Sequence, residues 1–270
     1  MKRRTFVKSL LTLAGMPVLS FAAESADSST EKSKDAKEVK FFDAKEEGLI
    51  EASIVMKSSL DGRVSIKNKS GQPLRIELPA TFAAVHVAQF GDDMGGGAGG
   101  GRSRGGGGGS GGGNQAAGGG MGGMGGMSGG MGGGMGMMNL APEQVVRHNV
   151  KTVCLEHGKK DPKHHLHYEI RPLETVTDKG EVQVLCSMVG AGAVDQKSAQ
   201  AAVWHYNNGL SWEELAAKQY KPRIDSSYTV PYFSGKQMVY AINLGKKVEE
   251  KVAAENKPGQ KSSSDYFLEK

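Results

Sequence analysis

Cysteine is scarce in this chain, and so are aromatic residues. Cys154 and Cys186 are its two cysteines in 270 residues, and Phe, Trp and Tyr make up 6%. One disulfide is therefore the most the chain can form within itself. Long apolar runs are also missing. The longest, Ser9 to Ala22, falls short of the roughly 20 residues a membrane-crossing helix needs. No serine sits in a nucleophile elbow, no His-Glu-x-x-His occurs, and the glycine-rich stretch does not end in the Gly-Lys-Ser/Thr of a phosphate loop. Enzyme chemistry is left with little beyond a Cys154–His157 pair of uncertain direction. A true excess of one charge is missing too. The formal +5 includes Lys2, Arg3, Arg4 and Lys8 in an opening segment without acids, and the rest balances at +1. Net charge thus gives no support to nucleic-acid binding.

That opening segment reads as an address. Lys2-Arg3-Arg4-Thr5-Phe6-Val7-Lys8, followed by an apolar run, has the form of a bacterial twin-arginine signal over residues 1–22, with cleavage after Ala22 or Ser25. The expected location is outside the cytoplasm: periplasm, cell surface or medium. Residues 23–38 have no apolar period and read as a disordered spacer. Across 39–90, Ile50–Met56, Arg63–Lys67 and Leu74–Leu78 alternate apolar and polar residues as half-buried strands do, with turns at Asp61-Gly62 and Ser70-Gly71-Gln72-Pro73. Ala83–Phe90 is a candidate fourth strand. This predicts a small antiparallel β module.

Residues 91–139 are dominated by glycine with interleaved methionines, including Met121, Met124 and Met138. Such a composition buries too little to offset its conformational entropy, which predicts a flexible linker or loop. Its thioethers are soft ligands of the kind copper takes. A second folded unit is expected over 140–254, with strands at Val150–Leu155 and Leu166–Leu173 and helices at Glu181–Val189 and Gln237–Glu249, before a polar tail over 255–270. The fold class that results is α+β.

The strongest local signals lie between Asp195 and Lys218. Asp195 caps one helix. Asn207-Asn208-Gly209 stops it, and Ser211 with Glu214 forms the S-x-x-E of a capping box that starts a second. Trp204 and Trp212, the two tryptophans of the chain, are the anchors of this helical hairpin.

Three chemistries follow from the residues. Cys154 and Cys186, in an exported protein, invite a disulfide worth roughly 2–4 kcal/mol. His164, His165 and His167, with His157 nearby, make a histidine cluster of the type that holds zinc or copper. The third rests on resemblance. Gln200-Ala201-Ala202-Val203-Trp204 is similar to the Gln-x-Ala-Ile-Trp segment of bacterial thioester domains, which are surface adhesion modules. The resemblance implies an internal thioester between Cys154, in Val153-Cys154-Leu155-Glu156, and Gln200, shielded by Trp204 and open to capture by an amine of a host or matrix. The chain after the signal also resembles exported bacterial proteins with a Gly-rich insert ahead of a Val-Cys-Leu-Glu-His-Gly-Lys segment, a likeness that implies no activity. The expected function is non-enzymatic binding or structural work in the envelope or outside the cell, with an unidentified protein or matrix partner. Covalent adhesion and metal handling are the alternatives.

Overall fold

A computed structural model describes residues 36–87, 114–121, 136–223 and 225–255. All of these belong to one compact unit, Asp35–Lys270. The expected export signal, most of the spacer, Met124 and the greater part of the glycine run, and the tail beyond Glu255 lie outside the described residues.

The described part opens with β1 (Lys37–Lys40) and a short helix α1 (Phe41–Glu46). Then come β2 (Ile50–Met56), β3 (Asp61–Asn68), β4 (Leu74–Glu77) and β5 (Phe82–His86). Alternation sets their faces: Val64 and Ile66 are fully buried in β3, Leu74 and Ile76 in β4, and the residues between them face outward. Next are β6 (Ala117–Gly119), β7 (Met137–Leu140), β8 (Val145–Cys154) and β9 (Tyr168–Arg171). Helices α2 (Gly180–Gly190), α3 (Gln196–Asn208), α4 (Trp212–Ala217) and α5 (Gly235–Glu255) follow among the described residues, with a ribbon of two short strands, β10 (Gln219–Tyr220) and β11 (Val230–Pro231), between the last two. The class is α+β.

Six strands close into a barrel in the order β2-β3-β8-β6-β5-β9. The closing β2–β9 contact pairs Ile54 with Tyr168. β1, β4 and β7 form a separate three-stranded sheet. This corrects the division into a 39–90 module and a 140–254 unit: both supply strands to one barrel, and Lys67↔Val145 to Asp61↔Lys151 is a continuous seven-pair ladder between them. It also corrects the reading of 91–139 as a flexible linker or loop throughout, because β6 and most of β7 come from that stretch.

Small residues are what admit β6. A Cβ on Gly118 would stand 2.7 Å from Cys186 Sγ and 2.8 Å from Leu155 Cδ2, and one on Gly119 would stand 2.7 Å from the Lys151 carbonyl oxygen. Just beyond, Gly120 and Gly190 touch backbone to backbone, so that a Cβ on Gly190 would lie 2.3 Å from Gly120 Cα. Hydrophobic alternation cannot signal a strand made this way.

Two further cores lie outside the barrel interior. One packs Val153 and Leu155 against α2, α3 and α5 through Leu185, Cys186, Val203 and Leu244. The other gathers Cys154, Ala201, Trp204, Leu215, Phe233 and Met238. Seven consecutive residues of α3, Ser198 to Trp204, are buried, so this helix is enclosed on all sides. Its caps form as the sequence predicts. Asp195 accepts from Ser198 N at 2.8 Å, Gly209 takes φ 70°, and Ser211 and Glu214 make a reciprocal capping box.

Candidate functional site

The site forms where β8 ends. In an antiparallel ladder, successive residues turn their backbone groups to opposite neighbours. Leu155 N bonds toward β6, to the carbonyl of Ala116 at 3.0 Å, while Thr152 N bonds the other way, to the Leu60 carbonyl at 2.9 Å. Cys154 therefore turns its N–H and C=O to the side that β3 has already left, where β8 has no strand partner. α3 supplies one. Gln200 Oε1 accepts from Cys154 N at 2.6 Å, and Gln200 Nε2 donates to the Cys154 carbonyl at 2.9 Å. Gln196, one turn earlier, donates to the carbonyls of Leu60 and Thr152, and Asn207 donates to that of Leu155 at 2.6 Å. Ala199, Ala201 and Ala202, all fully buried, allow the helix to come this close.

With its backbone clamped, Cys154 points its sulfur into a closed box. The thiol donates to Gln115 Oε1, and Trp204 Nε1 donates to the sulfur at 3.3 Å. The carbonyl of Glu156 lies 3.4 Å from Sγ. Cys154 and Gln115 are each 2% exposed. Gln115 Nε2 in turn donates to Asp161 Oδ1. The Asn114-Gln115-Ala116 segment is fixed in place by Gln115 N to the Lys160 carbonyl at 3.1 Å, Asn114 Nδ2 to the Asp161 carbonyl at 3.0 Å, and Ala116 N to Glu156 Oε2 at 2.9 Å. Burial pushes the Cys154 thiol up to about 11, against the smaller downward pull of the Trp204 hydrogen bond. At neutral pH it is a protonated thiol rather than a thiolate, unlike a cysteine poised for catalysis or redox exchange.

An aromatic wall closes the outer side. The Trp204 ring packs on His157, Tyr232 and Phe233 with centroids 4.8, 5.4 and 5.8 Å apart. Lys197 Nζ stands 4.0 Å over the Tyr232 ring, and Lys218 Nζ lies 5.3 Å from the Trp204 centroid while contacting His157 Nε2 at 2.8 Å.

The residues singled out by sequence are thus partly brought together. Cys154, Gln200 and Trp204 meet. Gln200, however, spends both polar ends on the Cys154 backbone, and the carboxamide against the sulfur belongs to Gln115. Trp212 packs at the edge of both helical cores, stacking on His205 with centroids 4.1 Å apart and lying against Gly245 of α5. Cys186 is buried in a different core, and both cysteines are free. Burial pushes the Cys186 thiol up to about 12. His157 lies on Trp204 and does not pair with Cys154, while His164 and His165 touch edge to face at 5.4 Å. β9 starts only at Tyr168, so His165 and His167 share no strand face. Among the described residues, no group of three or more His, Cys, Asp and Glu side chains is placed to hold a metal ion, and no helix is long and apolar enough to cross a membrane.

Gln115 and Asp161 are the residues that sequence reasoning missed. The available signal was compositional: Asn114-Gln115-Ala116-Ala117 interrupts an otherwise glycine-dominated run. Comparison with protein-family models, curated proteins and solved structures finds no match to this chain. A functional reading therefore rests on the geometry of the box.

Proposed function

We propose that this is an exported binding protein of the cell envelope or its surroundings, and that it holds its partner through an internal thioester joining Cys154 to Gln115. The observation that carries the reading is the thiol of Cys154 set against the Gln115 carboxamide, with both side chains 2% exposed and an indole N–H on the sulfur. The resemblance to thioester adhesion domains implies the same chemistry, with Gln115 in the place first expected for Gln200.

The step balances without a cofactor or an oxidant. Cys154 Sγ bonds to Gln115 Cδ, the Cδ–Nε2 bond breaks, and the thiol proton leaves with the nitrogen as ammonia. Proximity makes this accessible in a folded chain, since fixed reacting groups avoid the entropic cost of meeting. Enclosure then preserves the product, because water that cannot reach the acyl carbon cannot hydrolyse it. A neutral thioester also suits a box that disfavours a thiolate. When a primary amine attacks Cδ, the Sγ–Cδ bond breaks, the amine's proton returns to sulfur, and the partner is left on Gln115 as an amide.

Intact mass of the non-reduced protein is the test. The expected result is a deficit of one ammonia, absent in Cys154→Ser and in Gln115→Ala, and replaced by one methylamine adduct after methylamine treatment. A deficit of two hydrogens would establish the Cys154–Cys186 disulfide instead and end the thioester reading.

A further inference from the structure

The box is closed on the Trp204 side but bridged to solvent on another. Asp161 is an exposed residue, yet its Oδ1 accepts from Nε2 of the buried Gln115. One carboxylate thus reaches from the surface to the atom that must depart when the thioester forms. Its backbone is held by Asn114 Nδ2 on its own carbonyl at 3.0 Å. Its charge is felt by Lys197 and Tyr232, and Lys197 Nζ lies over the Tyr232 ring.

Attack by an amine is the reverse of ammonia's departure. By microscopic reversibility the incoming nitrogen arrives where Gln115 Nε2 stood, on Asp161 Oδ1. From this geometry, and resting on the thioester reading, we infer that Asp161 is the residue that admits the nucleophile and makes the site select amines over water and alcohols. An amine leaves an amide, whose remaining N–H donates to Asp161 as the Gln115 amide does. An alcohol leaves an ester oxygen with no hydrogen to donate, so lone pairs face the carboxylate. Water leaves a second carboxylate against the first, and like charges at contact repel. A site built to accept a hydrogen bond discriminates against products that cannot make it.

The test is a competition between methylamine and water in wild type and Asp161→Asn, which keeps the size of the side chain but removes its charge. Intact mass separates the methylamide from the hydrolysed product. Wild type is expected to give mainly methylamide, and Asp161→Asn an amide-to-acid ratio lower by about tenfold or more, the scale of a lost charge-assisted hydrogen bond. An Asp161→Asn chain that melts like wild type but retains its ammonia also supports the inference, since the same contact then fails in the forming direction. An Asp161→Asn chain that forms the thioester and partitions as wild type does overturns it. A wild-type chain that retains its ammonia overturns the thioester itself, and this inference with it.

Discussion

Both polar ends of the Gln200 carboxamide end on the backbone of a single residue, Cys154. Removing them leaves a buried N–H and a buried C=O without partners, each costing about 1–3 kcal/mol. Gln200→Ala should therefore lower unfolding free energy by about 3 kcal/mol in urea denaturation. Gln200→Glu should be damaging as well, because a carboxylate cannot donate to the Cys154 carbonyl. Trp204→Phe keeps most of the ring but loses the donor on sulfur. It should fold, and its thioester should hydrolyse faster than wild type, followed as loss of the ammonia deficit over time. At this scale the sequence was legible where the chemistry is local. Asp195, Gly209, Ser211 and Glu214 announce their roles within four residues of their partners. The Gln115–Cys154 contact joins positions 39 apart, and nothing near Gln115 marks it except the break in a glycine run.

At the scale of elements, β6 shows why a strand can be invisible to periodicity. Its residues are chosen for how little they occupy between β5, β8 and α2. Gly190→Ala meets backbone atoms of Gly120 at 2.3–2.6 Å, which cannot move aside, whereas Gly118→Ala meets the side chains of Cys186 and Leu155. Both should destabilise. Gly190→Ala is expected to cost more than the 1–3 kcal/mol usual for overpacking, and Gly118→Ala to fall within it, as read from denaturation midpoints. Gly118→Ala also presses on β6 next to the site, so its yield of thioester should drop with its stability. The helices α3 and α4 were legible because their caps are read in sequence order, and α2 because Val182, Leu185 and Val189 recur at helical spacing. α3 differs only in being buried all round, which its run of alanines permits.

For the molecule as a whole, the barrel's connectivity matters more than the content of its parts. β2, β3 and β5 come from the first third of the chain, β8 and β9 from beyond residue 144, and β6 from the glycine-rich stretch between. A division at that stretch looked natural because strand pairing across sixty or more residues leaves no local trace. Fragments 36–90 and 140–255 should each lack a cooperative melting transition, since each would expose half a barrel; circular dichroism on the separate fragments checks this. Alkaline stability offers a second global readout. Cys154 and Cys186 are held up to about 11 and about 12 from an ordinary 9.0. In the unfolded chain they lose protons first, so folded-state stability is retained below about pH 9 and falls as pH climbs toward 11. Blocking Cys154 as a thioester removes its share, so the loss between pH 9 and 11 should be smaller in the ammonia-deficient protein than in the methylamine-treated one.

The three residues of β6 also set how the molecule would bear a pull. A partner fixed to Gln115, as proposed, would hang two residues ahead of a strand that is bonded to β5 on one edge and β8 on the other. Tension applied along that strand loads both ladders in shear, so several hydrogen bonds must fail together rather than one after another. In the proposed mechanism the Cys154–Gln115 link would be spent in making the attachment, and from then on the tether's grip would be the grip of the barrel wall itself.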